Sequence, residues 1–408
     1  MTGNVSKSNV QVYGYRWVVL FVFTIINIIL QIHWLTFAPI AQAAQEYYGV
    51  SALGVDFFSI VFLAIFIVFC IPSTYIINHY SLRTSIGLAA VLIGVCGLTK
   101  GLFAESYTLV IISQFGLALS QPLLINAGTT VAVRWFPLTE RATATGVALL
   151  AQFLGMIIAM ILTPILIDTG SPGVYDIPGM LMSYGVASVI SAGLLLLFLR
   201  NKPPTPPGDD EEERYNILDG IRHMLKKKDM RYLMVIFFLA LGLFNAVTTC
   251  IDQICSIKGL GFEQTGLIGG MMLISGVIGA GIFPVISDKI RKRKGMFVPL
   301  MLLSIPGLVG LTFTTSFTNM LISAFLFGFF FLGGSPILFQ YSAEINTPAP
   351  ESTSQGLLML VGQMGGVLLV VGMNAFGMML GMYLFVGFSV INIVLAMMME
   401  ESKMIQIA

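Results

Sequence analysis

Charge is what this sequence most lacks. Only 10% of its 408 residues are charged, whereas 56% are apolar and the mean hydropathy is +0.90. A soluble protein carries about 25% charged residues, because its surface has to be hydrated. The composition therefore excludes the two or three soluble domains that the length alone would allow, and the apolar excess must face lipid.

Net charge, cysteine and enzyme motifs are also scarce. The formal net charge is +1, which leaves no basic field large enough for a nucleic-acid partner. The four cysteines, Cys70, Cys96, Cys250 and Cys255, are spaced as in no zinc or haem-attachment motif. We expect them to be apolar filler, and we expect no metal and no cofactor. The sequence has no HExxH, GxSxG or P-loop motif, so no enzyme is predicted.

Long apolar runs are what the sequence has in abundance. A membrane-spanning helix needs about 20 mostly apolar residues, and twelve such runs predict an all-α membrane protein. They lie at roughly 17–40, 55–77, 84–103, 108–134, 142–167, 178–199, 233–254, 264–287, 296–314, 319–343, 355–380 and 382–399. Runs 11 and 12 are divided only by a short turn that we place near Gly381.

The basic residues predict the orientation. If both termini are cytoplasmic, all but two of the 21 Lys and Arg residues lie on the cytoplasmic side, the exceptions being Lys100 and Lys258. The positive-inside rule therefore predicts cytoplasmic termini and an even number of spans. We expect an integral protein of the plasma membrane, and we expect it to be a monomer.

A linker at the midpoint divides the chain. Residues 201–208 (NKPPTPPG) predict a stiff linker. Apolar residues then recur at helical spacing and predict an amphipathic helix on the cytoplasmic membrane face: Ile217, Leu218, Ile221, Met224 and Leu225. The predicted division is a six-helix bundle over 1–200, a cytoplasmic linker over 201–232 and a second six-helix bundle over 233–408.

One cytoplasmic loop is repeated at half-length. Gly279–Lys294 (GAGIFPVISDKIRKRK) contains Asp288 followed by a basic cluster that includes Arg291. The loop after span 2, Ile77–Arg83 (INHYSLR), has Asn78 in the acidic position and keeps Arg83. A six-plus-six chain with this repeat resembles the major facilitator superfamily. The resemblance implies that the loop residues tie neighbouring helices together in a gating or structural role; alternatively, they only carry positive-inside charge.

Polar side chains inside spans are costly, so their positions are informative. In span 1, Thr24, Asn27, Gln31 and Trp34 fall on one helix face. This stripe predicts the lining of a water-filled path; the alternative is a polar seam between helices. His33 lies on another face, and we expect it to be an interfacial group.

Other spans add amides and few charges: Gln114 and Gln121 in span 4, Gln152 in span 5, Asn245 and Asp252 in span 7, Glu344 at the end of span 10, and Gln363 and Asn374 in span 11. No Lys or Arg falls at mid-depth, and the acidic residues of the first six spans lie at helix ends (Asp56, Asp168). The cavity is therefore predicted to be neutral to mildly acidic. It suits a neutral solute or an organic cation, which Trp34 could bind through a cation–π contact.

A closer resemblance rests on Ala118–Gly146, ALSQPLLINAGTTVAVRWFPLTERATATG. This stretch, with Arg16–Trp17, Trp34, Asp252–Gln253 and Glu344, resembles the feline leukaemia virus subgroup C receptor-related transporters. The resemblance implies transport of choline and ethanolamine, and the family was earlier associated with haem transport. It also implies a ligand site formed by an aromatic cage and glutamines. By resemblance, the cage falls on Trp34, Gln121 and Gln363, while Asn245 replaces a cage tyrosine and Asp252 an asparagine. Arg141, in the same stretch, and Glu344 are expected to have gating or structural roles.

The sequence thus predicts a secondary transporter of a small organic amine or quaternary ammonium ion, working by alternating access. Trp34, Gln121 and Gln363 would contact the substrate, and Asp252 would favour cations at the outer mouth. The remaining path-lining residues are Asn27, Gln31, Asn245 and Gln152. The scarcity of carboxylates in the first half favours facilitated transport over proton symport. A carrier of a neutral solute or organic acid, and a non-transporting receptor, stay open as alternatives.

Overall fold

The computed structural model describes residues 13–137, 139–171, 173–205, 217–346 and 351–402. Within these ranges the regular structure is helical, apart from one isolated bridge between Asp168 and Tyr175. The α-helices are α1 (Tyr15–Leu35), α2 (Ala41–Tyr48), α3 (Ala52–His79), α4 (Leu82–Leu102), α5 (Tyr107–Trp135), α6 (Arg141–Ile167), α7 (Ile177–Phe198), α8 (Ile217–Lys226), α9 (Lys228–Thr249), α10 (Ile251–Ser256), α11 (Phe262–Ile290), α12 (Lys294–Phe313), α13 (Phe317–Phe327), α14 (Ser335–Asn346), α15 (Glu351–Phe376) and α16 (Met378–Met398).

Twelve helical segments of the described chain are long and apolar enough to cross a membrane, which confirms the predicted number of spans and the all-α class. Span 1 is interrupted: α1 is followed by a 3-10 turn at Ala38–Ile40 and then by α2. Span 10 contains a π-helical turn at Gly328–Leu332 between α13 and α14. Span 7 begins at Lys228, earlier than the predicted residue 233.

The boundary between spans 11 and 12 was predicted in the wrong place. The chain breaks at Gly377, whose φ of +103° is a conformation that glycine adopts without steric cost. Gly381 lies inside α16. The apolar pattern continues across both glycines, so only the backbone conformation distinguishes them.

Serine residues fix where several spans begin. Ser51, Ser81 and Ser106 precede α3, α4 and α5, and each accepts a hydrogen bond from the backbone N–H three residues later. Such caps satisfy an N–H group that has no partner within the helix. The local sequence therefore determines these helix starts.

The helices have two common ends, which we name by the chain termini. At the terminal end, the Tyr15 hydroxyl of α1 donates to the Phe198 carbonyl oxygen of α7 (2.6 Å), and Lys294 Nζ donates to the Met397 carbonyl oxygen of α16 (2.7 Å). The far end is the opposite one, where α1 stops and α3 begins. If the predicted orientation is right, the terminal end faces the cytoplasm.

Helices α1–α7 pack mainly on one another, and so do α9–α16. The two groups meet where α6 packs on α11 and α3 on α15. The predicted division at 201–232 stays a prediction. Within it, α8 is the predicted amphipathic helix: Met224 is buried and Leu225 is exposed, while the side chains of Ile217, Leu218 and Ile221 lie outside the described residues.

The named contacts between the two groups concentrate towards the far end. The first turns of α11 lie so close to the last turns of α6 that a Cβ atom on Gly266 would lie 2.4 Å from the Met160 carbonyl oxygen. Deeper in the bundle, Leu63 of α3 lies against Gly366 of α15. Backbones that approach this closely exclude solvent, so the far end is closed.

Candidate functional site

The polar stripe of α1 is buried. Asn27, Gln31 and Trp34 expose 1%, 2% and 5% of their surfaces. Asn27 Nδ2 donates to the Phe23 carbonyl oxygen one turn earlier (2.8 Å), so part of its amide is used within α1. In contrast, Gln31 Oε1 and Trp34 Nε1 have no hydrogen-bond partner. Buried polar atoms are rarely left unpaired. The Gln31 oxygen is therefore able to accept a hydrogen bond from a bound molecule, and the Trp34 N–H is able to donate one.

Gln31 also lies at a close helix–helix contact. A Cβ atom on Gly155 of α6 would lie 2.4 Å from the Ile28 carbonyl oxygen and 2.8 Å from Gln31 Cβ. Gln152, one turn before Gly155, is half-buried. The stem of Gln31 therefore forms part of a seam between helices while its amide oxygen stays unpaired. That the stripe lines a water-filled path stays a prediction.

Gln121 contributes a second unpaired amide oxygen. It lies on α5 immediately before Pro122, which removes a backbone N–H from the middle of the helix. The side chain is buried, and Oε1 has no hydrogen-bond partner. It can therefore accept a hydrogen bond from a hydroxyl or ammonium group of a solute.

The structure brings Asn245 and Gln363 together. Asn245 Nδ2 of α9 donates to Gln363 Oε1 of α15 at 3.1 Å, and both side chains are buried. A Cβ atom on Gly366 would lie 2.7 Å from Asn245 Nδ2 and 3.0 Å from Leu63 Cδ1. The amide pair thus lies where α3 of the first group meets α9 and α15 of the second.

Asp252, predicted to favour cations at the outer mouth, makes a contact between the two groups of helices. It lies on α10 at the far end, where its Oδ2 accepts a hydrogen bond from the Gln42 backbone N–H (2.7 Å). Gln42 is in the first turn of α2, so a carboxylate of the second group caps a helix of the first. Burial raises the pKa of Asp252 to about 7.

A second carboxylate at the far end was missed. Asp56 of α3 is buried and accepts hydrogen bonds from Asn374 Nδ2 (2.7 Å), Gln253 Nε2 (2.8 Å) and the Cys250 thiol (3.4 Å). All three donors belong to the second group of helices. The sequence signal was present, since Asp56 is one of two acidic residues in the first six spans, but it was interpreted as an ordinary helix end.

Lys100 and His33 are more deeply buried than the sequence suggested. Lys100 is completely buried in the last turn of α4, where Nζ donates to Gln114 Oε1 at 2.9 Å. His33 is completely buried rather than interfacial, with Nε2 2.7 Å from the Ser188 hydroxyl of α7. Lys100 therefore contributes a buried donor at the end of its span.

At the terminal end, an arginine joins two of the predicted gating residues. Arg293 contacts Asp288 Oδ1 (2.5 Å) and Glu344 Oε1 (2.8 Å) and is itself buried. The sequence prediction chose Arg291, but Arg291 is exposed and ends α11 with φ +54°. Within the basic cluster the sequence does not distinguish the two arginines. Only the left-handed backbone conformation at Arg291 determines which of the two side chains points inward.

Arg83 and Arg141 each donate to a backbone carbonyl oxygen. Arg83 donates to the Leu196 carbonyl oxygen (3.3 Å) and Arg141 to that of Phe136 (3.3 Å). Arg16 of the first group is paired with Glu140: its guanidinium binds both carboxylate oxygens at 3.0 and 3.2 Å. Both residues were part of the family resemblance, but their pairing was not predicted.

The chemistry of the site follows from what these contacts leave free. Trp34 offers an indole N–H and an aromatic face, and Gln31 and Gln121 offer amide oxygens. The described acidic groups discussed above lie at the two ends of the bundle. Within the described ranges, no group of three His, Cys, Asp or Glu side chains is arranged to hold a metal ion. Groups of these kinds bind small polar solutes by hydrogen bonds and a π contact, and that they form the binding site of this chain stays a prediction.

Comparisons with known proteins agree with this description. The family model described as Major Facilitator Superfamily matches residues 16–370. A choline/ethanolamine transporter of Homo sapiens is 25% identical over 386 residues, covering 91% of this chain and 73% of the relative. Solute carrier family 49 member A3 of Danio rerio is 27% identical over 378 residues, covering 89% of this chain and 79% of the relative.

The fold is similar to that of a solved bacterial protein. That structure is described as a homolog of the human lysosomal transporter Spinster in an inward-facing and unoccupied conformation. Its TM-score is 0.76 at 16% identity, covering 95% of this chain and 97% of the other. With the family model matching most of its length, this chain belongs to the Major Facilitator Superfamily and is one of its integral membrane transporters.

Proposed function

We propose that the protein moves a small organic amine, of the choline and ethanolamine class, across the membrane by alternating access. The observation that carries the proposal is Trp34: a buried indole with an unpaired N–H, on the same helix face as the unpaired amide oxygen of Gln31. An aromatic face attracts an organic cation more strongly when both are desolvated. Relatives at about 25% identity are named as choline/ethanolamine transporters, which supports this substrate class.

The amide pair favours ethanolamine over choline. Asn245 occupies the position that the family resemblance gives to a cage tyrosine, and it hydrogen-bonds Gln363 at 3.1 Å. An amide pair binds N–H and O–H groups, whereas a second aromatic ring would favour a quaternary ammonium. A primary ammonium with a hydroxyl group fits these partners better, and the same argument keeps a neutral hydroxylated solute as the second candidate.

The far-end contacts support a description of this conformation as inward-facing. Asp252 caps α2 across the two groups of helices, and Asp56 accepts three donors from the second group. Both carboxylates would act as a latch that closes the outer side while the cytoplasmic side is open. In this proposal Asp252 is a gate rather than a substrate contact, and Arg293 with Glu344 stabilises the second bundle on the cytoplasmic side.

Flux measurements on purified protein in liposomes test the proposal. We expect saturable uptake of labelled ethanolamine and choline, competition by one another, and little competition by a carboxylate of similar size. Trp34→Ala should reduce uptake at least about tenfold, a loss of about 1.4 kcal/mol. Trp17→Phe is the matched control, because Trp17 lies on the same helix but is 45% exposed near the terminal end.

Three outcomes would reject the proposal or part of it. Preference for the carboxylate would overturn the amine class. Equal uptake by wild type and Trp34→Ala would remove Trp34 from the site. The absence of flux for every solute, from protein that is folded, would favour a non-transporting receptor. The same preparation tests the expected monomer by its mass in detergent, and labelling of an epitope at either terminus tests the cytoplasmic orientation.

A further inference from the structure

The break at the end of α1 is held by side chains from three helices. The last carbonyl groups of a helix have no partner within it, and here each of three consecutive ones has a side-chain donor. Thr36 Oγ1 donates to the Ile32 carbonyl oxygen (2.7 Å) and Gln114 Nε2 of α5 to that of His33 (2.9 Å). Ser59 Oγ of α3 donates to the carbonyl oxygen of Trp34 itself (3.1 Å).

Gln114 is the centre of this arrangement. Its Nε2 also donates to the Phe58 carbonyl oxygen of α3 (3.0 Å), and its Oε1 accepts from Lys100 Nζ of α4 (2.9 Å). Lys100 Nζ lies 5.0 Å from the centre of the Phe37 ring, within the range of a cation–π contact. The Lys100–Gln114 pair therefore holds α1 before the break, at His33, and the chain after it, at Phe37.

A buried lysine in a membrane helix needs a reason, because the charge is costly there. Lys100 is completely buried, and none of the ion pairs found among the described residues includes it. A methionine would fill the same space at lower cost. What only a cation provides is attraction to the negative C-terminal end of α1 and to the Phe37 ring, together with a donor that fixes which way the Gln114 amide points.

We infer that Lys100 and Gln114 are positioning residues: they fix the direction in which α1 breaks and thereby set the orientation of the Trp34 indole. The inference rests on the proposed function only in that Trp34 contacts the solute. The local geometry has its own readout, because Trp34 is one of three tryptophans. Replacing Trp17 and Trp135 by Phe leaves Trp34 as the only source of tryptophan fluorescence.

Gln114→Glu separates the two roles of Gln114. The variant keeps an oxygen that accepts from Lys100 but lacks the N–H groups that hold the His33 and Phe58 carbonyl oxygens. In the single-tryptophan protein without solute, we expect Trp34 emission to shift to longer wavelength and collisional quenching to increase. With choline as the probe, we expect Kd to rise about tenfold. Thr312→Val is the control, since it removes a buried hydrogen bond to the Leu308 carbonyl oxygen (2.7 Å) on α12, in the second group of helices.

The outcomes distinguish this inference from the proposed function. Unchanged Trp34 emission and a choline Kd within twofold of the parent, in folded Gln114→Glu, would overturn the inference. A shifted emission in a protein that never binds choline would support the positioning role and reject the substrate. If Gln114→Glu does not fold, Lys100→Met and Ser59→Ala carry the same prediction for Trp34 emission, and unchanged spectra in both would overturn it.

Discussion

The hydrogen bond between Asn374 and Asp56 offers a direct test of the far-end latch. Asn374→Ala removes one of three donors to a buried carboxylate, all of which come from the second group of helices. A hydrogen bond to a charged group contributes about 1.5–3 kcal/mol. Because the bond exists only while the far end is closed, its loss should raise the open population by about 10- to 100-fold, at about 1.4 kcal/mol for each factor of ten.

Cys250 is a natural reporter of that opening. Its thiol is completely buried and lies 3.4 Å from Asp56 Oδ2 in the closed far end. In a background with Cys70, Cys96 and Cys255 replaced by Ala, Cys250 is the only thiol. An impermeant maleimide applied from the far side should label it at a rate proportional to the open population. Asn374→Ala should therefore label about 10- to 100-fold faster than the parent.

Asn392→Ala is the matched control. Asn392 is a completely buried asparagine on α16, and neither amide atom has a partner, so its removal should leave the labelling rate within about twofold. If Asn374→Ala labels no faster than Asn392→Ala, and both proteins are folded, the bond to Asp56 does not hold the far end closed. Equal acceleration by both variants would show that labelling reports general loosening of the second bundle.

Three further predictions concern single contacts. Gly266→Ala should accelerate Cys250 labelling because its Cβ would lie 2.4 Å from a carbonyl oxygen of α6, whereas Gly193→Ala, with open space around it, should not. Arg293→Ala should lower the melting temperature, because unpairing a buried carboxylate costs about 3–5 kcal/mol, and Arg291→Ala should leave it unchanged. Burial raises the pKa of Asp252 to about 7 in the closed form, so protonation of this carboxyl group favours the closed form. Spin-label distances across the far end should therefore report more closure as pH falls from about 7 towards about 4. Asp252→Asn should reduce this dependence, while the buried carboxyl group of Asp56 at the same end remains.

The family fold was accessible from sequence because lipid imposes simple requirements on it. Hydrocarbon demands about 20 apolar residues per helix, so twelve spans could be counted. Serine residues such as Ser51 and Ser81 mark helix starts through bonds to their own first turn. The polar side chains within the spans could also be identified, because a polar side chain there is rare enough to stand out.

Partners across the bundle were not accessible in the same way. Asp56 and Asn374 are separated by 318 positions in the chain, and no local pattern relates them. The burial of Lys100 could not be predicted, because the sequence does not show which side chains of α4 and α5 surround the end of its span. Arg291 and Arg293 differ only in which one follows the left-handed turn that ends α11.

The sequence by itself therefore determined the number of spans and the family, because each follows from composition, spacing or motif along one chain. The tertiary structure decided which polar groups are used and which stay free. It places the Asp252 carboxylate of α10 against the first turn of α2 and joins Asn245 to Gln363 by a hydrogen bond. It leaves the indole N–H of Trp34 without a partner. The physical reason is that a hydrogen bond depends on distances of about 3 Å between atoms, and in a helical bundle those distances are set by packing between helices remote in sequence.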